Sequence, residues 1–526
     1  MLKLVPSARG SGLSFLALMA LAAVFALAAV GWSAPPLEDA AMLMRYAEHL
    51  SLGYGIVWNI GEPPVDGETD FLLTILVAAV RSTGISLEAA TRLVAISAHF
   101  ATVGLIYIGM RRVQRSGIIP AFLSGAYFAV GPGLFLAAAY FGTPLFTFAV
   151  AATWLLAQRV MFADERRTRD YVFFALAGLA SGLTRPEGVL VSILMLLSLA
   201  VVLPAPDFRQ LAVPFAAVWL LLGGTYFIWH WAYFGHPLPN PFYVKGGGRL
   251  YPGALQTSVR NSAKLLFPFI PAFILSARSW PTLRLGIAFC IPILGSIGMW
   301  VLLSDEMNFG GRFQYSVLAI GVLSWYPLVK SLRGDFGLPR LSSLSRGRQL
   351  GVILPAALCV TAVFATQVRY STGITYQSDS RYDVAIALSH FGDRKYTLAT
   401  TEAGLLPLYS QWRAVDTWGL NDEWIAHNGG VTPQYLAQQN PDVIVFHDVP
   451  SSPLGPRWNK QVDVLRGYAE THHFTLAAAF GVSPEDTMQY YVRPDTPDHD
   501  RIVHAIRSVD YAAGQGSAVN FMEWRQ

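Results

Sequence analysis

Residues 35–55 read PPLEDAAMLMRYAEHLSLGYG, and the fold turns on what they follow. The run LSFLALMALAAVFALAAVGW, residues 13–32, has about the 20 apolar residues that a helix needs to cross a bilayer. Just beyond it stand two adjacent carboxylates, Glu38 and Asp39, then an amphipathic stretch, then Gly53 and Gly55. Lys3 and Arg9 ahead of the run, and small residues at Val30–Ala34, also suit a cleaved signal peptide. The rest of the chain favours a retained first span, because many more apolar runs follow.

The 526 residues are 53% hydrophobic and only 14% charged, against about 25% charged in a soluble domain. Too few charges remain to cover a water-facing surface, so the composition predicts a polytopic membrane protein. Apolar runs fall near 13–33, 90–110, 118–138, 143–162, 171–184, 187–203, 212–234, 263–277, 285–303, 312–331 and 349–367, about eleven spans. With the N-terminus inside, alternation puts Arg111, Arg112 and Arg115 inside, then Arg159, Arg166, Arg167 and Arg169, then Arg209, then Arg278 and Arg284. Lys330, Arg333, Arg340, Arg346 and Arg348 follow on the same side. Thr69–Val80 is too short to cross and would break this alternation, so it predicts a surface or re-entrant helix. With a helix near 39–52 it makes a juxtamembrane pair in one large outer loop, 34–89. Cys290 and Cys359 lie in apolar runs, which excludes a disulfide framework. The net charge of +4 points to no nucleic-acid partner.

Beyond about 368 the long apolar runs stop. Strand-like pieces at 396–404, 441–449 and 486–494 alternate with helix-like ones at 381–392 and 432–441, which predicts a small α/β domain. The expected organisation is a transmembrane domain over 1–367 and an extracytoplasmic α/β domain over 368–526.

The unusual polar stretches all fall in outer loops. Asp39 near a helix start suits a helix cap, or a general base whose carboxylate takes a proton from a hydroxyl. Glu38 and Asp39 together suit oxygen ligands for Mg²⁺, Mn²⁺ or Ca²⁺. Arg185 and Glu187 flank Pro186; an arginine fork there suits phosphate oxygens, or simply anchors an interface. In HPLPNPFYVKGGG, residues 236–248, prolines stiffen a loop that ends in Lys245 and three glycines, a pattern that suits an anion or a rigid connector. Arg312 in NFGGRF enters a span from outside, the usual place for snorkelling. The chain has no Walker loop, no G-x-G-x-x-G opening a helix and no zinc-spaced histidine pair. Few ionisable residues lie within the spans, His99 and His230 being the main ones, which argues against an ion-coupled transporter.

These motifs, in this order, resemble the terminal β-(1→2)-arabinofuranosyltransferases of mycobacterial type, which are GT-C glycosyltransferases. The matching positions are Glu38-Asp39-Ala40, Arg45-Tyr46, Gly53-Tyr54-Gly55, Asn59-Ile60-Gly61-Glu62, Asp66-Gly67-Glu68-Thr69-Asp70-Phe71-Leu72, Thr184-Arg185-Pro186-Glu187-Gly188, Leu238-Pro239-Asn240, Phe242-Tyr243 with Lys245, Arg312-Phe313, Gly419-Leu420-Asn421-Asp422 and Pro441-Asp442. Glu38 stands where that family has Asp, and Asp70 where it has Asn. The resemblance implies a GT-C fold and an inverting enzyme in a bacterial inner membrane. Its site faces outward, and it moves arabinofuranose from a polyprenyl-phosphate donor to a cell-envelope glycan. It implies Asp39 as base with Glu38 as its partner, and Arg185, Lys245 and Arg312 at the donor phosphate. Arg45, Tyr46, Glu68, Glu187, Asn240 and Tyr243 are the implied substrate contacts, and the C-terminal domain is the implied acceptor-binding part. Alternatives are a GT-C enzyme for mannose or amino-arabinose, another acceptor (protein or lipid), or a flippase or assembly factor without catalysis.

Overall fold

A computed structural model describes residues 8–246, 248, 250–336, 345–374, 380–448, 456–483, 486–510, 512–513, 516–517 and 519–520. Lys3, Gly247 and Arg340 of the sequence reading lie outside these. The chain divides into two compact units, the first made of residues up to 32, 93–226 and 250–375, the second of 33–92, 227–249 and 376 onward.

The first unit is helical. Among the described residues of the whole chain, eight helices are long and apolar enough to cross a membrane: Gly10–Ala29, Leu87–Arg112, Ile118–Ala138, Thr143–Phe162, Ala205–Phe234, Trp280–Val301, Phe309–Leu332 and Gln349–Thr372. They mark an integral membrane protein. Three of the eleven expected spans are absent from this set, for local reasons. The runs 171–184 and 187–203 lie in helices Thr168–Thr184 and Glu187–Val202. Pro186 separates these two and forces Arg185 before it into extended backbone. The run 263–277 is split between Pro252–Leu266 and Ile270–Leu275, where Pro268 and Pro271 interrupt the ladder.

Polar side chains tie these helices where apolar contact alone would leave them free to slide. Gln114 Nε2 donates to Gln158 Oε1 at 2.8 Å and to the Leu323 carbonyl at 2.7 Å. Trp154 Nε1 donates to Ser324 Oγ at 3.0 Å, and Trp325 Nε1 to Ser124 Oγ at 3.0 Å. Both cysteines are free thiols.

The second unit is built on a twisted mixed sheet. Strands β1 (Thr397–Thr400), β2 (Arg413–Asp416), β3 (Val443–His447), β4 (Thr475–Ser483) and β5 (Asp486–Val492) lie in the order β2-β1-β3-β5-β4, with a short strand at Val519–Asn520 beyond β4. β1 is parallel to β2 and β3; β5 is antiparallel to β3 and β4. Both faces are covered, so the strands read as near-continuous apolar runs. Leu398, Val443, Val445 and Tyr490 face one core, with Leu388 and Ile502 from helices. Ala399, Ile444, Phe446 and Tyr491 face the other, with Trp418 and Leu465. This alternation is the pleat acting on the expected strand pieces. The predicted strand 396–404 stops at Thr400 because helix Leu405–Ser410 begins just after Gly404.

The first loop folds with this sheet. Its helix Glu38–Ser51 packs beside Phe71–Arg81, which has 11 residues and is too short to span. Tyr46, Ile56, Trp58, Phe234, Ala403 and Ala414 form a further buried cluster that seals the loop onto the β2 edge. Asn59 completes the seal as a strand substitute: its Oδ1 accepts from the Ala414 N–H and its Nδ2 donates to the Ala414 carbonyl, both at 3.0 Å.

Candidate active site

In the second unit the site is built around the start of helix Glu38–Ser51. The helix N-cap is Leu37, with no side-chain cap, so Asp39 is not the cap; it sits half-buried in the first turn, where the helix dipole favours a negative charge. Glu38, by contrast, is buried. Its Oε1 accepts from the N–H groups of Gly404 and of Leu405, the latter at 3.2 Å, and its Oε2 lies 3.6 Å from Arg381 Nη1. Arg381 also pairs with Glu402. The carboxylate of Glu38 is therefore engaged in holding the first loop to the sheet, and it does not fit as a metal ligand. Among the described residues no group of three or more His, Cys, Asp and Glu is disposed to hold an ion. Nothing in the sequence signalled Arg381, because Glu38, the partner that ties it to the first loop, is hundreds of positions away.

Nearly two turns beyond Asp39, Arg45 and Tyr46 bring distant motifs together. Arg45 is 3% exposed. Its guanidinium donates to the carbonyls of Trp58 at 2.8 Å, Trp412 at 2.9 Å and Pro407, and to Asn59 Oδ1 at 3.2 Å. The Tyr46 hydroxyl lies 3.1 Å from the Val65 carbonyl and 2.9 Å from Asn421 Oδ1, and accepts from the Gly67 N–H at 3.2 Å. Asn421 in turn donates through N and Nδ2 to Asp416 Oδ2 at 2.8 and 2.9 Å. Burial pushes Asp416 up to about 6 although these donors oppose the shift. Thus Arg45-Tyr46, Asp66-Gly67 and Gly419-Leu420-Asn421-Asp422, separate in sequence, meet in one buried network.

Gly67 is the tightest point of that network. A Cβ there would stand 2.0 Å from Asn421 Oδ1 and 2.7 Å from the Leu420 carbonyl. Gly67→Ala should therefore destabilise the protein by about 1–3 kcal/mol through overpacking, read as a lower denaturation midpoint. An unchanged midpoint would contradict this packing.

Next to Gly67 lies a buried acidic group. Asp66 is 3.0 Å from His230 Nε2, and its carbonyl accepts from the Asn240 N–H at 2.8 Å. Glu68 accepts from the Thr74 hydroxyl. Burial, with the charges of Asp70 and Asp66 adding to it, raises Glu68 to about 8, although the Thr74 bond opposes the rise. At neutral pH the folded protein thus holds a proton on Glu68. The unfolded chain releases that proton near 4.5, so this contribution to stability is complete below that value and is lost as pH rises through about 8. Glu68→Gln should flatten the stability-versus-pH curve over this window, and an identical curve for the variant would overturn the assignment.

The loop after His230 carries the remaining sequence candidates of this unit. Asn240 is buried, whereas Tyr243 and Lys245 are half-buried. The Tyr243 ring lies 4.5 Å from that of His427, which stacks on His236 at 4.2 Å. His236 Nε2 is 2.6 Å from Glu423 Oε1.

In the first unit, Arg185, Glu187 and Arg312 come together. Arg185 Nη2 is 3.1 Å from Glu187 Oε1. The Arg185 and Arg312 guanidiniums lie 5.6 and 5.0 Å from the ring centroid of Phe313, and Arg312 is also 4.1 Å from that of Phe141. Phe313 is held by stacking on Trp300 at 4.5 Å. Left-handed Gly310 and Gly311, at φ 58° and 70°, make the turn that delivers Arg312. Two arginines thus share one aromatic plate with a single carboxylate between them in charge, an arrangement that suits a phosphate's oxygens.

Similarity to solved structures decides the architecture. ArnT from Cupriavidus metallidurans, bound to undecaprenyl phosphate, superposes with a TM-score of 0.61 at 12% identity, over 93% of this chain and 99% of that one. The chain shares the fold of that protein. The archaeal oligosaccharyltransferase AglB from Archaeoglobus fulgidus, in complex with an inhibitory peptide and a dolichol-phosphate, shares this fold with a TM-score of 0.53 at 13% identity, over 92% of this chain and 75% of that one. Residues 367–495 match a domain of unknown function, DUF8728, which takes in the sheet from β1 to β5 of the second unit. No curated protein matches the chain in sequence.

Proposed function

We propose that the chain is an inverting glycosyltransferase that moves a sugar, arabinofuranose by the resemblance of its motifs, from a polyprenyl-phosphate donor to a cell-envelope glycan. The setting is the bacterial inner membrane, with the reaction on its outer side and the second unit facing the periplasm. The observation that carries the reading is the Arg185–Phe313–Arg312 plate in a chain of GT-C fold. A lipid phosphate is the leaving group such a plate would hold.

The reaction is a single displacement. An acceptor hydroxyl oxygen attacks the anomeric carbon, the carbon–oxygen bond to phosphate breaks, and the electron pair leaves with the phosphate. Asp39 takes the hydroxyl proton, and the arginines stabilise the charge that grows on the departing phosphate. Glu38 acts as a positioning residue, fixing the helix start that carries Asp39. Arg45 and Tyr46 hold that helix to the sheet, while Glu68, Glu187, Asn240 and Tyr243 shape the substrate contacts.

The test is a donor panel. The purified protein is given a short arabinan acceptor with polyprenyl-phospho-arabinofuranose, polyprenyl-phospho-mannose, the amino-arabinose counterpart or a nucleotide sugar. Elongated glycan from the arabinofuranose lipid is the expected result. Product from another lipid donor would reassign the sugar, and product from the nucleotide sugar alone would overturn the lipid-phosphate reading.

A further inference from the structure

A cleft of about 510 Å³ lies in the second unit, between the end of helix Glu38–Ser51, the end of helix Phe71–Arg81, the turn after it and the helix Leu405–Ser410. Its volume is that of a ligand site rather than a packing fault. Leu87 and Leu408 form a buried apolar floor. The walls are polar and already ordered. Glu48 Oε1 accepts from Arg81 Nη2 at 2.9 Å and its Oε2 from Gln411 Nε2 at 3.1 Å. Arg81 Nη1 is fixed on Ser51 Oγ at 2.6 Å. Across the cleft, Glu88 Oε1 accepts from the Tyr409 hydroxyl at 2.9 Å, and the Tyr409 ring is braced edge-on by Tyr382 at 4.7 Å.

This lining selects a chemistry. Two carboxylates, Glu48 and Glu88, face a single guanidinium, Arg81, so the net charge of the wall is negative and an anionic ligand is repelled. A purely apolar ligand would leave both carboxylates desolvated. A neutral polyol meets neither objection. Its hydroxyls donate to carboxylate oxygens, which keep spare lone pairs beyond the bonds named, and accept from Arg81 and Gln411. Its C–H faces lie on Tyr409 and the leucine floor.

We propose that this cleft is a binding subsite for a neutral glycan. On the function proposed above, the ligand is a segment of the acceptor remote from the reacting hydroxyl. Glu48 follows Asp39 by nine residues on one helix, which is about 14 Å along the axis and half a turn round it. The two carboxylates therefore face opposite sides of the helix, and the cleft is a second contact, separate from the base. It would favour long acceptors over short ones.

The experiment measures binding without any donor, so it stands apart from whether the chain transfers a sugar. The full-length protein in perdeuterated nanodiscs is examined by saturation-transfer NMR with arabinohexaose, maltohexaose and a heparin hexasaccharide. Wild type should give saturation transfer to at least one neutral hexasaccharide, uncompeted by heparin. Glu88→Ala should weaken that binding about tenfold, the worth of one hydrogen bond to a charged group. Ile85→Trp, at a lining position whose side chain is already exposed, should fill the cleft without touching its hydrogen bonds and weaken binding as much. No neutral binding by wild type, equal binding by both variants with unchanged melting points, or displacement by heparin would each overturn the subsite. Transfer activity with any of those outcomes would leave the proposed function standing; binding as described without transfer would do the reverse.

Discussion

Arg45→Ala should destabilise the protein by about 3–5 kcal/mol, since each buried acceptor left without its donor costs about 1–3 kcal/mol and several are stranded at once. The guanidinium meets the carbonyls of Trp58, Pro407 and Trp412 and the side chain of Asn59, and its removal leaves those buried acceptors without donors. Burial lowers Arg45 to about 10, which still leaves it charged at neutral pH. Arg45→Lys should rescue little, because an ammonium lacks the planar fork that reaches separate carbonyls at once. The check is chemical denaturation of the purified protein in detergent. A variant that melts with wild type would mean that the first loop is not held to the sheet by this side chain.

That prediction lies where sequence reading reached least. Arg45 and Tyr46 were legible as a motif, yet the motif implied substrate contact, and the structure places both in the packing between loop and sheet. The reason is physical: carbonyl acceptors such as those of Trp412 and Pro407 belong to the backbone and leave no mark in a sequence. Glu38 is the same case, since its partners are the N–H groups of Gly404 and Leu405. Local signals were read more fully. The short 71–81 helix, the strand pieces at β1, β3 and β5 and the break at Pro186 all follow from length, alternation and proline chemistry. The strands β2 and β4 were missed: β2 reads RAVD, with a charge at each end and only two apolar residues between, and β4 carries a run of alanines that suits a helix as well. Arg185 and Arg312 were each singled out, but their shared contact with Phe313 depends on how distant helices pack, which periodicity does not encode.

Asp39→Asn should lower glycosyl transfer about 10²–10⁴-fold, the usual contribution of a general base, with the fold intact. Asparagine keeps the shape of the side chain at the helix start and loses its negative charge, and with it the ability to take a proton, at a cost of about 0.3–1 kcal/mol in helix-dipole stabilisation. Because Leu37 rather than Asp39 is the N-cap, the substitution removes no capping bond and should leave the melting point near that of wild type. The check is a paired measurement of initial rate and denaturation midpoint. Equal rates would remove Asp39 as the base, while a large fall in midpoint would show that its role is structural.

The most direct measurement is the fate of the phosphate. The wild-type protein is incubated with polyprenyl-phospho-arabinofuranose, with and without an arabinan acceptor, and free polyprenyl phosphate is quantified beside the new glycoside. The account predicts equal amounts of the two products, with the anomeric configuration inverted, and almost no release when acceptor is withheld. Glycoside without matching polyprenyl phosphate, or retained configuration, would contradict a single displacement from a lipid phosphate.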